Sequence, residues 1–180
     1  AVEAELPDLK LGNPRFFVDR QVAQARVSPT GFDTIAFHVQ TNPGPAAGPL
    51  MKIASGGELS RFLLALKVAL ADRGSAPVLV FDEIDTGVGG AVADAIGRRL
   101  ARLAERVQVL AVTHAPQVAA RAGRHLLIEK QMVDSGAFTR THVRPLDGGT
   151  RQEEVARMLA GATVTDEARA AASRLLSEVE

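Results

Sequence analysis

A short apolar run that ends in two carboxylates limits what this chain can fold into. The run is Val78–Phe81, and Asp82 and Glu83 follow it directly. A continuous apolar stretch of this length is typical of a strand that is buried on both faces of a parallel sheet. A second, mostly apolar run, Val107–Val112, lies about one helix length further along the chain. The pattern predicts an α/β fold with a largely parallel sheet flanked by helices.

The two acids that follow the first run have the chemistry of a phosphate-processing site. Ligands of open α/β sheets bind at the carboxyl ends of the strands. Asp82 is therefore a candidate ligand for Mg²⁺, which prefers oxygen ligands and keeps several waters. Glu83 is a candidate to orient or deprotonate a water that attacks a phosphate, because phosphoryl transfer depends mainly on positioning and charge stabilisation. The alternative is that both acids are solvated turn residues.

A glycine pair opens a predicted helix upstream of these acids. Ser55, Gly56, Gly57 and Glu58 precede apolar residues at helical spacing, which predicts a helix from near Glu58 to near Asp72. The glycines leave the first amides open to close approach, and helix N-termini attract anions. The segment therefore suits a terminal phosphate. An ordinary capping box between Ser55 and Glu58 is the alternative, although such a cap requires neither glycine.

One histidine lies where a strand is predicted to end. His114 follows the run Val107–Val112, separated from it by one residue. A lone histidine in such a place is more often structural than catalytic. The other three, His38, His125 and His142, lie on predicted strands or in a hairpin, and none has metal-ligand spacing to another.

In this order and spacing, the segments resemble the signature motif, Walker B strand and switch histidine of ABC-type ATPase heads. Three stretches carry a closer resemblance: Ala54–Arg61, Phe81–Gly90 and Val112–Ala119. They are similar to the SMC-like ABC ATPases of bacterial DNA double-strand-break repair and recombination. The resemblance extends from about Arg15 to about Leu176.

The resemblance implies a role for each candidate residue in binding and hydrolysing ATP. It makes Glu83 and His114 catalytic and Asp82 the ligand of Mg²⁺. It assigns the remaining nucleotide contacts to Ser55, Gly56, Gly57, Glu58 and Asp85, the last in a sharp turn. In this family two heads form a homodimer around two ATP molecules, and the serine and glycines serve the ATP of the opposite head. ATP binding joins the heads and hydrolysis releases them.

The phosphate-binding P-loop of such ATPases is missing from the sequence. No Gly-x-x-x-x-Gly-Lys-Ser/Thr segment occurs among the 180 residues. SMC-like heads are assembled from the two ends of a long chain, with a coiled-coil arm between them. We therefore expect residues 15–180 to be the C-terminal half of a head, and residues 1–14 to be the end of the arm and a linker. The N-terminal Walker A lobe is then a partner, and the chain alone is expected to be inactive.

Charge gives no clear sign of a DNA-binding surface. The sequence has 21 basic and 21 acidic residues, so its formal net charge is zero. The best local candidate is a group of arginines on one predicted helix: Arg98, Arg99, Arg102 and Arg106. The favoured alternative is a solvated face on which Asp94 pairs with Arg98. DNA is accordingly expected to bind through the full-length protein.

The remaining composition excludes several classes of protein. The absence of cysteine excludes disulfides and thiolate metal sites. No apolar run approaches the length of a membrane span and no signal peptide is visible, so we expect a cytoplasmic, nucleoid-associated protein without a membrane partner. Two alternatives remain open: a head lobe of another SMC-like or ABC-transporter ATPase, and a non-catalytic dimerisation or DNA-holding module. The segment Ile84–Gly87 argues against the transporter.

Strands are also predicted outside the central sheet. The segments Phe16–Val18 and Ile35–Val39 have strand-like composition and alternation. Near the other end, Leu126–Ile128 and Thr139–Val143 predict an edge hairpin, with its turn around Asp134–Gly136.

Overall fold

The computed structural model describes residues 2–9, 11, 14–22, 29, 31–40, 46–53, 56–70, 76–133 and 138–178. The chain divides into two compact units, residues 1–112 and 113–180, and each is described by itself. In the described part of the chain, no helix is long and apolar enough to cross a membrane.

Among its described residues, the first unit combines an antiparallel and a parallel sheet with four α-helices and a short 3₁₀ helix. Its elements, in chain order, are α1 (Val2–Glu5), a 3₁₀ helix (Pro7–Leu9), β1 (Arg15–Val22), β2 (Asp33–Gln40), β3 (Gly48–Pro49), α2 (Leu50–Ile53), α3 (Gly56–Ala69), β4 (Val78–Asp82), α4 (Gly90–Ala104) and β5 (Gln108–Val112). Strands β1, β2 and β3 form the antiparallel sheet. Strands β4 and β5 pair in parallel, with α4 as the connection between them.

The second unit contains a hairpin and three helices. Its elements are α5 (Pro116–Ala120), β6 (His125–Val133), β7 (Phe138–Leu146), α6 (Gly148–Ala160) and α7 (Asp166–Ser177). Strands β6 and β7 are antiparallel neighbours, which confirms the predicted hairpin. Its turn at 134–137 lies outside the described residues. Helices α6 and α7 enclose a small core of Val155, Ala156 and Ala172.

The predicted α/β class is confirmed, but the prediction of strand burial is wrong. Parallel pairing is limited to β4 and β5 among the described strands, and the other pairings are antiparallel. One face of this pair is open: Val80 is 66% exposed, Leu110 46% and Val112 54%. A parallel sheet is normally covered by helices on both faces. Within the described residues of this chain only the other face, which carries Leu79 and Phe81, is partly covered.

The core of the first unit lies where α3 and α4 pack together. The inward face of α4 carries Ile96 and Leu103, which are 0% and 2% exposed. From α3, Leu64 is fully buried, and the ring of Phe62 lies 5.5 Å from that of Phe16 on β1. Helix α3 begins at Gly56, close to the predicted start. These contacts fix the direction of both helices whose first turns lie near the candidate site.

The amino-terminal segment packs onto this core. Pro7 lacks the N–H that a continuing helix needs, and the short helix Val2–Glu5 accordingly ends before it. Leu6 and Leu9 are both 0% exposed, and the segment contacts α3 and α4. Residues 2–9 are therefore part of the first unit's core.

A buried arginine on α4 holds this segment in place. Arg99 donates from Nε to Oε2 of Glu5 at 2.9 Å, and from Nη2 to the Glu5 carbonyl and to Asp8 Oδ2, both at 3.1 Å. Its Nη1 donates to the carbonyl of Ala95 at 3.2 Å. Arg102 adds a 2.5 Å contact to the other carboxylate oxygen of Glu5. The guanidinium of Arg99 thus donates to acceptors on the amino-terminal segment and on α4, which lie far apart in the sequence.

The arginine group on α4 is therefore not a free basic surface. Arg98 pairs with Asp94, as the alternative predicted. The side chain of Arg99 is only 8% exposed and faces carboxylates, so it is neither solvated nor directed toward a nucleic acid. The helical spacing alone did not reveal this, because both carboxylate partners lie more than ninety positions earlier in the chain.

We predict that Arg99→Ala destabilises the first unit strongly, whereas Arg98→Ala does not. Arg99→Ala removes the buried partner of Glu5 and leaves this carboxylate with its contact to the more exposed Arg102. Loss of one partner of a buried ion pair costs about 3 kcal/mol. The Arg98 side chain is 53% exposed, and surface ion pairs of this kind contribute about 0–1 kcal/mol. Urea unfolding of both variants provides the comparison. Equal free energies of unfolding for the two variants would show that the Arg99 contacts contribute no more than surface pairs.

Candidate functional site

The predicted Mg²⁺ ligand, Asp82, and the predicted catalytic residue Glu83 lie at the exposed end of β4. Asp82 is the last residue of the strand and Glu83 follows it, both exposed to solvent. Glu83 has a φ of 54°, the one positive value among described non-glycine residues. The left-handed region is unfavourable for a side chain with a Cβ, and such residues cluster at functional sites. The backbone thus holds this glutamate in a conformation that its own preference opposes.

A tight turn behind the two acids holds them in position. The amide of Thr86 donates to the carbonyl of Glu83 at 3.2 Å, and that of Val88 donates to the carbonyl of Asp85 at 3.4 Å. Ile84 and Asp85 are 0% and 1% exposed, so the turn is fixed on its inner side. Gly87 has a φ of 72°, which suits glycine and directs the chain toward α4. The predicted sharp turn is confirmed.

The first turn of α3 lies directly against this turn. A Cβ added to Gly57 would lie 3.3 Å from the carbonyl oxygen of Thr86 and 3.2 Å from Nη1 of Arg61. Both distances are tighter than ordinary van der Waals contact, so a side chain at Gly57 would require the Arg61 guanidinium and the Thr86 carbonyl to shift by a few tenths of an ångström. The structure therefore brings together Gly57 and the turn that contains Asp85, although they lie far apart in sequence.

Arg61 is a member of this site that the sequence analysis did not identify. It is 8% exposed and lies one helical turn after Gly57, on the same face of α3. Burial lowers the pKa of its guanidinium, and the nearby Glu58 carboxylate opposes that shift. The i, i+4 spacing of Gly57 and Arg61 was the available signal, because it places a small and a long residue side by side.

The other predicted residues of the helix start are only partly described. Ser55 lies outside the described residues, so the capping box with Glu58 stays a prediction. Gly56 is the first residue of α3. Glu58 is half-buried in the first turn and engages a partner of its own.

His114 belongs to the second unit and precedes α5. Its ring is exposed, and it lies between Thr113 and Ala115. The amide of Ala115 donates to Oγ1 of Thr113 at 3.0 Å, which closes a short turn around the histidine. In the neighbouring first unit, β5 ends at Val112, which pairs in register with Asp82. Two carboxyl ends of parallel strands, β4 and β5, therefore lie side by side.

The carboxylate at the end of β4 suits Mg²⁺ better than a metal whose ligands all come from the protein. The described residues contain no group of three or more histidine, cysteine or acidic side chains that could enclose a metal ion. Mg²⁺ commonly takes one or two carboxylates together with waters and substrate phosphates. The exposed carboxylate of Asp82, at the end of a strand, meets that requirement.

Curated proteins similar to this chain share a single description. The chain is 44% identical over 176 residues to DNA repair protein RecN of Rickettsia felis, a match that covers 98% of this chain and 32% of that protein. It is 45% identical over 174 residues to RecN of Xylella fastidiosa and 45% identical over 187 residues to RecN of Streptomyces coelicolor. The chain is similar to RecN over nearly its whole length. The predicted resemblance is thus confirmed, and the chain spans about a third of the length of the RecN proteins it matches.

Solved structures give the same fold. An Smc head domain with a coiled coil and joint from Pyrococcus yayanosii superposes with a TM-score of 0.60 at 17% identity, over 86% of this chain and 27% of that one. An Smc head domain from Pyrococcus furiosus superposes with a TM-score of 0.57 at 18% identity, over 87% of this chain and 36% of that one. At these identities the likeness shows the fold, which is that of an SMC head. No protein-family model matches the RecN-like sequence.

We predict that Glu83→Gly stabilises the first unit while Glu83→Gln leaves its stability unchanged. Glycine adopts a positive φ without the steric cost that other residues incur, about 1 kcal/mol. Glutamine keeps the Cβ and therefore keeps the cost. Urea unfolding of both variants measures the difference. A glycine variant less stable than the glutamine variant would contradict the assignment of strain to this residue.

Proposed function

We propose that the full-length protein to which this chain belongs is an ATPase of DNA double-strand-break repair and recombination. In this proposal the chain is the C-terminal half of its SMC-like head and contributes one part of a composite ATP site. Similarity to RecN across nearly the whole chain and the SMC-head fold support the proposal. The missing P-loop is then supplied by an N-terminal Walker A lobe of the same protein.

The observation that carries the proposal is the geometry after β4. Asp82 and Glu83 are exposed at a strand end, Glu83 in a strained backbone conformation, while Ile84 and Asp85 are buried behind them. A pair of ordinary solvated turn residues requires neither the strain nor the buried support. The close packing of Gly57 against the same turn adds the start of a second element.

In the proposed reaction Glu83 acts on the water and Asp82 holds Mg²⁺. The Glu83 carboxylate orients the water and accepts its proton as the oxygen attacks the γ-phosphorus. The bond from that phosphorus to the bridging oxygen breaks, which gives ADP and phosphate. His114 is proposed to contact the γ-phosphate. When bound, Mg²⁺ would neutralise part of the negative charge on the phosphates.

The helix start is proposed to serve a different ATP molecule from the one that Glu83 acts on. The backbone amides in the first turn of α3, those of Gly56, Gly57 and Glu58, together with Ser55, would bind the γ-phosphate held by a second head. Asp85 lies in the turn that packs against Gly57, and because it is only 1% exposed we propose that it supports this helix start from the inner side of the turn. ATP then joins two heads of a homodimer, and hydrolysis releases them.

DNA binding is proposed for the full-length protein in the bacterial cytoplasm, at the nucleoid. The described part of this chain offers little to a phosphate backbone on α4, because Arg98 and Arg99 are already paired with carboxylates. Coiled-coil arms that continue from residues 1–14 would then transmit head opening and closing to bound DNA.

We predict that Glu83→Gln in the full-length protein preserves ATP binding and lowers ATP turnover by about 10²–10⁴-fold, the usual contribution of a general base. Steady-state phosphate release and an ATP titration measure the two effects. Glu105→Gln is the matched control, since Glu105 is exposed at the end of α4 in the same unit. Near-normal turnover in Glu83→Gln would remove Glu83 from the reaction, and equal losses in both variants would point to a general effect on folding.

A further inference from the structure

The hydrogen bonds of Arg151 concentrate on one place in the second unit. Its Nη2 donates to the carbonyl oxygens of Ala119, Ala120 and Ala122, at 3.2, 2.8 and 2.6 Å. The Nε of Arg151 is buried and has no hydrogen-bond partner within the described ranges. The hydrogen bonds that this guanidinium donates within the described ranges thus all run to the carboxyl end of α5 and the turn that follows it.

These carbonyls lie at or just beyond the carboxyl end of α5, where that of Ala119 also accepts from the amide of Ala122 at 3.3 Å. The last carbonyls of a helix have no partner within the helix. Helix α5 has only five residues, Pro116–Ala120, and a helix this short is not stable without tertiary contacts. A cation at the carboxyl end also interacts favourably with the helix dipole. Arg151 supplies both the donors and the charge.

Arg151 is itself fixed by the first turn of α6. Asp147 and Thr150 form a reciprocal capping box, with Thr150 N bonded to Asp147 Oδ1 at 2.9 Å and Asp147 N bonded to Thr150 Oγ1 at 3.0 Å. The amide of Arg151 donates to the carbonyl of Asp147 at 2.7 Å. The backbone from which the Arg151 side chain extends is therefore held rigidly.

The opposite end of α5 carries the candidate switch histidine. Ala115 is the N-cap of α5 and is joined to Thr113 by the short turn that encloses His114. No side chain caps that end of the helix. The inner face of α5, Val118, Ala119 and Ala120, is at most 5% exposed. A rigid α5 thus sets where the His114 turn begins.

We propose that Arg151 is a positioning residue for His114. By holding the carboxyl end of α5, it fixes the helix from which the His114 turn projects, and so keeps the imidazole in place for the γ-phosphate. This inference rests on the proposed function, because it gives His114 a part in ATP hydrolysis. Arg151 itself touches no reacting atom.

The residues around Arg151 are consistent with its role as a rigid, charged support for α5. His125 at the start of β6 is partly buried, and its pKa is lowered by that burial and then by the Arg151 charge, while Glu154 opposes the shift. Glu154 is also paired with Arg157 at 2.6 Å on the same helix. His125, Glu154 and Arg151 therefore lie close enough to influence one another electrostatically. Of these three residues, Arg151 is the one that contacts α5.

The test compares Arg151→Met with Arg157→Met in the full-length protein. Both substitutions remove a guanidinium from α6, but the Arg157 side chain is 56% exposed and pairs within its own helix. Hydrogen exchange followed by mass spectrometry is expected to speed up in peptides covering 114–122 by on the order of tenfold in Arg151→Met, because bonds to a charged donor are lost. The rest of the second unit and the Arg157→Met protein are expected to exchange as wild type does.

Steady-state kinetics then show whether Arg151 positions His114 or only stabilises the fold. In Arg151→Met we expect kcat to fall about tenfold with an unchanged KM for ATP, since ordering of a γ-phosphate contact is lost. Arg151→Lys, which keeps the charge and one donor, is expected to recover part of the rate. Combined with His114→Ala, the methionine substitution is expected to add no further loss, as for two residues that act through one contact.

Each other outcome overturns the proposal in a distinguishable way. Wild-type exchange across 114–122 in Arg151→Met would show that Arg151 does not hold α5. A rate loss that adds fully to that of His114→Ala would show that Arg151 acts elsewhere. A normal kcat in His114→Ala would overturn the role of His114 in the proposed function, and the role of Arg151 with it, even if exchange in 114–122 were faster.

Discussion

The parallel pairing of β4 with β5 is the constraint on which the candidate site depends. Register between Asp82 and Val112 places two strand ends side by side, and α4 has to begin within a few residues of β4 to make the connection. That short connection forces a tight turn. Its buried inner side, Ile84 and Asp85, leaves Asp82 and Glu83 facing outward, with Glu83 in a left-handed conformation.

Helix α4 links this turn to the amino-terminal segment. Its first residue follows the turn closely, and further along its length Arg99 binds Glu5 and Asp8. A rigid helix of 15 residues therefore has the candidate catalytic turn at one end and the proposed base of the arm beside its middle.

The local sequence pattern was sufficient to predict helices, strands and motifs. It was not sufficient to predict contacts between segments that are distant in the sequence. The strand before Asp82 and the hairpin follow from apolar runs and alternation, which are properties of neighbouring residues. The carboxylate partners of Arg99 and the carbonyls bound by Arg151 lie 29 or more positions away, and no local spacing encodes them. Exposure of Val80 was mispredicted because burial depends on which segments cover the sheet, not on the strand's own composition.

Calorimetric titration of ATP tests most directly whether this chain provides only part of the nucleotide site. The titration is made with magnesium present, first into the chain alone and then into an equimolar mixture with a Walker A segment of the full-length protein. The proposed contributions of this chain are a γ-phosphate contact, a Mg²⁺ ligand and a water-positioning glutamate, and the sequence lacks the P-loop that holds the β- and γ-phosphates. We predict no binding at micromolar ATP for the chain alone and stoichiometric binding for the mixture. Tight, stoichiometric binding by the chain alone would contradict this account.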